Sequence, residues 1–309
     1  MYLGIDLGGI NVAAGLVSEA GKIVSHRSVP TPRTPEGVAD AIADHVKTLL
    51  NEADGTVTYI GLGSPGTIEP DRGMVEYWSN LDFHHVPLGA MIEERTGLPV
   101  RMENDAGCAA LGEYIAGAGK GSSSMVVITL GTGIGGGAVL NGKLYTGMNH
   151  AGLEVGHLVI EHNGRPCTCG RKGCFETYCS ATALIREAFR VMDWAPESLL
   201  WALAGDKEKV NGKMIFEAYK QGDDLAVGVV REFLEYLGDG VASLVNIFQP
   251  EIFAIGGGLA GAGETILAPV REILDREDYA RGSSRRTRLV KARLGNDAGI
   301  IGAAMLGAV

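Results

Sequence analysis

Six side chains able to ligate a metal or a polar molecule fall between positions 154 and 176: Glu154, His157, Cys167, Cys169, Cys174 and Glu176. The last part of this stretch reads Cys-Thr-Cys-Gly-Arg-Lys-Gly-Cys-Phe-Glu. Three thiols and one imidazole match the ligand count of a tetrahedral structural Zn²⁺ site, and Gly170 and Gly173 let the loop fold back on an ion. The competing readings are a disulfide or ordinary core cysteines. A Cys-x-Cys pair closes a strained short ring, however, and Cys108 and Cys179 stand apart from the cluster. Glu154 precedes the histidine and Glu176 follows the last cysteine, so a metal here would hold two carboxylates in place. A polyhydroxylated ligand requires that kind of fixed acidic pair.

Two glycine-rich turns come next in importance. Residues 2–17 read Tyr-Leu-Gly-Ile-Asp-Leu-Gly-Gly-Ile-Asn-Val-Ala-Ala-Gly-Leu-Val, an alternating pattern interrupted by Gly8-Gly9, which predicts a β-hairpin. The turn lacks the Gly-Lys-Ser/Thr of a phosphate-binding Walker loop and the following helix of a dinucleotide fingerprint. Asp6, two residues before the turn, can reach a metal ion held by phosphates lying on the exposed backbone N–H groups. Residues 128–139 repeat the design, with Ile-x-Leu-Gly leading into Thr132 and Gly133, and each copy later reaches a Gly-Lys turn, at 21–22 and at 142–143. Two such hairpins imply a duplicated fold with one phosphate-facing turn per half. Thr129 stands where Asp6 stands in the first copy, so the halves are not chemically equivalent. A third cluster, Gly256-Gly257-Gly258, follows an apolar strand and suits the close approach of a flat nucleoside.

The elements that must position these turns can be read from spacing. Helices are predicted over 36–52, 88–95, 178–191, 225–247 and 297–306, and strands over 57–63, 99–103 and 289–294. A cluster of Gly and Ser at 117–124 marks a crossing between halves, with a return near Gly295. This gives a first domain of 1–117 plus 296–309 and a second of 118–295 carrying the metal loop 157–176.

Asn104 and Asp105 end the strand at 99–103 and begin a helix. Asn-Asp before a helix usually does no more than cap it, and the same tripeptide recurs at 296–298. The first copy sits at a strand end in the half that holds Asp6, where α/β sites gather. A carboxylate at a helix N-terminus is expected to stay ionised and to accept the proton of an attacking hydroxyl.

With 309 residues, 46% of them hydrophobic and 21% charged, the chain has the composition of a globular protein large enough for two domains. A net charge of −10 excludes a broad nucleic-acid surface. No apolar run approaches a membrane span, and the start of the chain lacks the basic region of a secretory signal. Five cysteines with no such signal fit a reducing, cytoplasmic setting.

Taken together, these residues resemble the ROK family of sugar kinases, and within it the bacterial glucokinases. The resemblance is carried by Ile-Asp-Leu-Gly-Gly at 5–9, Ser-Pro-Gly at 64–66, Asn80-Leu81 and Glu-Asn-Asp-Ala at 103–106. It continues through Leu-Gly-Thr-Gly at 130–133, Glu154-Val-Gly-His157, the three cysteines with Glu176, Gly256–Gly258 and the closing helix. It implies an α/β, actin/hexokinase-like (ribonuclease H-like) duplicated fold of two domains around a cleft. It further implies transfer of the ATP γ-phosphoryl group to the 6-hydroxyl of a hexose, glucose by default, with Asp105 as general base. Asn104, Glu154, His157 and Glu176 would bind sugar hydroxyls, with Gly66 and Asn80 lining the opposite side. His157 would also join Cys167, Cys169 and Cys174 on Zn²⁺. Asp6 would organise Mg²⁺, while Gly8, Gly9, Thr132 and Gly133 cradle phosphates. A homo-oligomer, dimer or tetramer, is expected, without nucleic-acid or membrane partners.

The resemblance breaks at position 10, where the family usually places Thr after Gly-Gly and this chain has Ile. One hydroxyl donor to the phosphates is therefore missing, or Asn11 supplies it, and weak ATP use or another phosphoryl donor follows as an expectation. Family members that act as repressors carry a DNA-binding segment ahead of this body, for which a hairpin beginning at Tyr2 leaves no room. The basic run of Arg281, Arg285, Arg286, Arg288, Lys291 and Arg293 reads as a solvated face or subunit contact. The remaining alternatives are a kinase for N-acetylmannosamine, fructose, mannose or allose, and a non-catalytic sugar sensor; retention of both Asp6 and Asp105 argues against the sensor.

Overall fold

A computed structural model describes residues 1–78 and 81–308. By internal contacts the chain forms two compact units, one of residues 1–126, 137–153 and 292–309 and the other of 127–136 and 154–291. In the first unit, β1 (Tyr2–Leu7), β2 (Asn11–Val17) and β3 (Ile23–Pro30) precede α1 (Pro35–Glu52) and β4 (Ile60–Ser64). A small antiparallel sheet of β5 (Thr67–Glu69), β6 (Met74–Trp78) and β7 (Phe83–Val86) follows. After it come α2 (Leu88–Thr96), β8 (Val100–Asn104) and α3 (Asp105–Ala116). The main sheet runs β3-β2-β1-β4-β8, with β1, β4 and β8 parallel.

The faces of β1 and β4 explain where the site lies. Leu3, Ile5 and Leu7 point one way, fully buried, and join Ile60 and Leu62 in a core with Ile42 and Leu49 of α1. Burying each such side chain contributes about 1.5–3 kcal/mol. The opposite face carries Gly4 and Gly61, because the C-terminal helix α10 (Asp297–Met305) lies almost on the backbone, and Gly63, over which Cys108 of α3 packs. A Cβ on Gly4 would stand 2.0 Å from the Ile300 carbonyl, and one on Gly61 would stand 1.7 Å from that of Ala303. α10 meets α3 equally closely, since a Cβ on Gly302 would fall 1.7 Å from the Cys108 carbonyl.

Next come β9 (Ser124–Leu130), β10 (Ile134–Leu140) and β11 (Lys143–Tyr145). Asn141 and Gly142, both with positive φ, make the tight turn between β10 and β11. Segment 137–153 belongs to the first unit: Gly137 packs where a Cβ would meet Ala110 at 2.5 Å, and His150 reaches Glu103.

The second unit holds α4 (Glu176–Cys179), α5 (Ala181–Met192), α6 (Leu199–Ala204), α7 (Gly212–Lys220) and the long α8 (Asp224–Phe248). β12 (Ile252–Gly256), α9 (Glu264–Glu277) and β13 (Arg288–Lys291) complete it. A second five-stranded sheet has the order β11-β10-β9-β12-β13.

Several boundaries differ from those read in the sequence. The helix expected over 178–191 is two helices, because the Ser180 hydroxyl accepts the Ala183 N–H and restarts the turn as an N-cap. β4 begins at Ile60 rather than at 57, and β13 ends at Lys291 rather than at 294. No helix among the described residues is long and apolar enough to cross a membrane.

Candidate active site and metal centre

In the first unit, the β8–α3 corner fixes the expected catalytic pair. Asn104 N-caps α3: its Oδ1 accepts the N–H groups of Ala106 at 2.9 Å and Gly107 at 3.4 Å. Its Nδ2 donates to the Gly66 carbonyl at 3.3 Å, so two residues expected to bind sugar are tied together. Gly66 has a φ of +84°, and a Cβ there would meet the Tyr77 carbonyl at 2.2 Å, which accounts for glycine in Ser-Pro-Gly. The second Asn-Asp-Ala behaves differently, since Asn296 makes no side-chain cap to α10. Asn80 lies outside the described residues.

Asp6, Gly63 and Glu103 occupy one row across the parallel strands, so both carboxylates leave the same face of the sheet near the strands' C-terminal ends. Gly299 of α10 leaves room for Asp6, because a Cβ there would stand 2.6 Å from its carboxylate. Burial, and after it the charge of Asp105, pushes the Asp6 carboxyl up to about 6. The helix N-terminus favours the ionised form of Asp105. Burial works the other way and raises its carboxyl above the ordinary value, while the N–H of Ala106 at 2.8 Å opposes the rise. The structure adds two groups that motif reading left without roles. Glu103 accepts the Asn104 N–H at 2.8 Å, and its other oxygen stands 3.5 Å from Nδ1 of His150, a residue held at positive φ. Alternation in β8 was the available signal for Glu103, since it shares the strand with the exposed Arg101 but is itself buried.

The first glycine turn is braced by Thr31. Its hydroxyl donates to the Gly8 carbonyl at 2.6 Å, and its N–H donates to that of Ile10 at 2.8 Å. Gly8 N–H donates to the Asn11 carbonyl and closes the turn. Ile10 projects outward, 81% exposed, and Asn11 beside it is also exposed.

In the second unit, the glycine turn and the metal loop meet. A Cβ on Gly133 would stand 2.6 Å from the Glu176 carboxylate, and the Gly131 carbonyl accepts the N–H of Ala181 at 2.8 Å. Thr132 is exposed at the tip. Gly257, with φ +80°, lies against the preceding strand, where a Cβ would press on Leu130 at 2.5 Å, while a Cβ on Gly258 would point into open space.

His157, Cys167, Cys169 and Cys174 gather their ligand atoms within 4.8 Å of one another. Cys169 and Cys174 sulfurs are 3.7 Å apart, and Cys167 Sγ lies 3.6 Å from His157 Nδ1. A tetrahedron with Zn–S bonds of about 2.3 Å has S···S edges of about 3.8 Å, so the residues fit Zn²⁺. All five cysteines are free thiols, which removes the disulfide reading. Without a cation the thiols differ: burial takes Cys167 up to about 12, whereas the backbone N–H of Arg171 lowers the exposed Cys169. Glu176 Oε1 is 3.2 Å from Cys167 Sγ and 3.7 Å from His157 Nδ1, so this carboxylate is part of the cluster's surroundings. The His157 N–H donates to the Glu154 carbonyl at 3.0 Å, which links the first flanking acid to the same loop.

A duplicated α/β body, paired glycine turns, buried carboxylates and a Cys₃His cluster define the chain as a member of a sugar-kinase class. The ROK family model matches residues 2–308, and the chain belongs to the ROK family. Its fold is the actin/hexokinase-like two-domain α/β fold. It is 42% identical over 310 residues to the glucokinase of Thermotoga maritima, covering 98% of this chain and 96% of that protein. It also resembles the crystal structure of a ROK family glucokinase from Streptomyces griseus in complex with glucose and AMPPNP. That match has 40% identity, covers 99% and 98% of the two chains, and has a TM-score of 0.82. A ROK hexokinase from Thermus thermophilus matches at 36% identity over 98% and 96%, with a TM-score of 0.83.

Proposed function

We propose that this chain transfers the γ-phosphoryl group of ATP to the 6-hydroxyl of glucose, with Asp105 as the general base. The observation that carries this reading is the contact between the Gly133 turn and Glu176, which sets a phosphate cradle against a carboxylate suited to sugar hydroxyls. Relatives at about 40% identity over nearly the whole chain are named glucokinases, and one of them was crystallised with glucose and an ATP analogue.

In this reading Glu154, Glu176, His157 and Asn104 hold the hexose hydroxyls, with Gly66 and Asn80 as further sugar-binding residues. An epimer would leave one of these acceptors unpaired, which is how the set discriminates. Gly8, Gly9, Asn11, Thr132 and Gly133 cradle the phosphates, and Gly256, Gly257 and Gly258 face the nucleoside. When bound, Mg²⁺ near Asp6 neutralises phosphate charge and Zn²⁺ in the His157–Cys167–Cys169–Cys174 set keeps the metal loop folded. Asp105 accepts the proton of the 6-hydroxyl as it attacks. Burial of its carboxyl raises its proton affinity above that of an ordinary carboxylate, which favours acceptance of that proton. Asn11, exposed beside Ile10, provides the side-chain donor that position 10 lacks. The reading puts the enzyme in the cytoplasm, where ATP and reduced thiols coexist, as a dimer or tetramer. Exposed Trp194 and Tyr279 are candidate contact residues for that assembly.

The test is ADP release from MgATP across a panel of hexoses. Glucose should be turned over best, and Asp105→Asn should lower kcat by about 10³-fold while sugar binding persists. Sugar binding without turnover in the parent protein would make it a sensor, and preferential use of another hexose would reassign the substrate.

A further inference from the structure

Arg165 stands in the metal loop two residues before Cys167, and its side chain touches nothing assigned to sugar, nucleotide or metal. Its Nη2 donates to Glu187 of α5 at 3.1 Å and to Glu232 of α8 at 2.9 Å. Its Nη1 donates to the Thr177 carbonyl of α4 at 3.4 Å, and its guanidinium lies over the Tyr178 ring, 4.6 Å from the centroid. The backbone of the same residue is used as well. Arg165 N–H donates to the Tyr178 hydroxyl at 2.8 Å, and its carbonyl accepts the Gly173 N–H at 2.8 Å, which closes the loop. Gly164 permits this approach, because a Cβ there would overlap the Tyr178 hydroxyl at 2.1 Å.

The contacts have one geometric consequence. They join the residue that leads into the cysteine segment to α4, the helix that begins at Glu176, and bind both to α5 and α8. Phe175 adds an apolar pin, since Gly240 of α8 leaves the space its ring fills. We infer that Arg165 is a positioning residue: its planar fork clamps the two ends of the cysteine segment, presetting the Cys167–Cys174 ligands for zinc and the Glu176 carboxylate for sugar. Lysine cannot substitute fully, because a point charge serves two carboxylates, a carbonyl and an aromatic face less well than a fork does. This inference rests on the hexose-kinase reading for its sugar part and on the metal cluster alone for its zinc part.

The experiment compares the purified, zinc-loaded parent with Arg165→Met, Arg165→Lys and the milder Tyr178→Phe, following zinc release to a chromogenic chelator and steady-state kinetics with glucose and MgATP. Residues that hold a metal's ligands in place typically change metal affinity by about 10–100-fold, so Arg165→Met should speed zinc release by at least about ten-fold. It should also raise KM for glucose by roughly ten-fold while kcat and KM for ATP stay within about two-fold, a pattern expected from lost uniform binding. Arg165→Lys should fall between the two. If Arg165→Met does not fold, Tyr178→Phe must still speed zinc release measurably. Zinc release at the parental rate in the variants overturns the clamp. So does a joint loss of thermal stability, glucose KM and ATP KM, which would assign Arg165 to general folding. A parent without glucose turnover would sink the function proposed above and leave the zinc arm to decide the clamp on its own.

Discussion

The carboxylate corner of the first unit and the metal loop of the second are both held rigid, but by opposite means. Asp6, Asn104 and Asp105 sit on strand ends and a helix cap, over a floor where glycines let α10 press against β1, β4 and α3. Glu176 and His157 sit in a segment with little regular structure, fixed by four candidate ligands and the Arg165 network. The first region is rigid because no space remains in it; the second is rigid because it is cross-linked. Damage to the first should therefore appear as lost stability, and damage to the second as lost binding.

The largest effect is expected where packing is closest. Gly302→Ala would set a methyl group 1.7 Å from the Cys108 backbone carbonyl, which no side-chain rotation can relieve. Overpacking of this kind costs about 3 kcal/mol or more. Chemical denaturation should show a lower midpoint and reduced activity, whereas zinc content per folded molecule stays at the parental value. Unchanged stability would mean that α10 and α3 are not in backbone contact.

The second effect is electrostatic. The folded pKa of Asp6, about 6, exceeds its ordinary value of 3.8, so the folded state binds this proton more tightly than the unfolded chain does. The stability of the nucleotide-free protein should therefore fall, relative to an Asp6→Asn variant, as pH rises from about 4 to about 6. The loss should be complete above that window, approaching roughly 3 kcal/mol for a shift of about two units. Denaturation of both proteins from pH 4 to 8 measures the difference, and parallel curves would show that Asp6 titrates normally. Saturating MgATP should narrow the gap if Asp6 lies beside the cation.

These regions also differed in how far they could be read from sequence. The metal loop is local: its ligands, its permissive Gly170 and Gly173 and its flanking acids all stand within one short segment, and the structure gathers the four expected ligands. The paired hairpins and the Asn104 cap were legible for the same reason, because turn and cap chemistry depends on neighbours in the chain. The contact of Gly4, Gly61 and Gly302 with partners from distant segments was not legible, since a glycine in a strand or helix pattern does not name what approaches it. Nor was the raised pKa of Asp105, because a helix N-terminus is visible in sequence and burial is not. The small sheet of β5, β6 and β7 escaped because its strands are only 3–5 residues long and carry no sustained alternation.

The smallest of the three effects separates the two regions most sharply. Cys169 is the most exposed of the three clustered thiols, so its replacement by serine removes a ligand while disturbing little packing. Zinc affinity should collapse, and affinity for glucose should fall with it, because Glu176 and His157 are neighbours of the same ligand cluster. The sugar loss should stay near ten-fold rather than a thousand-fold, since Arg165 and Phe175 still hold the base of the loop when the metal is gone. Global stability should change by less than it does in Gly302→Ala, and the pH dependence attributed to Asp6 should persist. Isothermal titration with glucose, before and after chelation of the parent, provides the comparison. Parental sugar affinity in metal-free protein would mean that the Arg165 network alone orders the loop, and that the ion serves only to close the cysteine end.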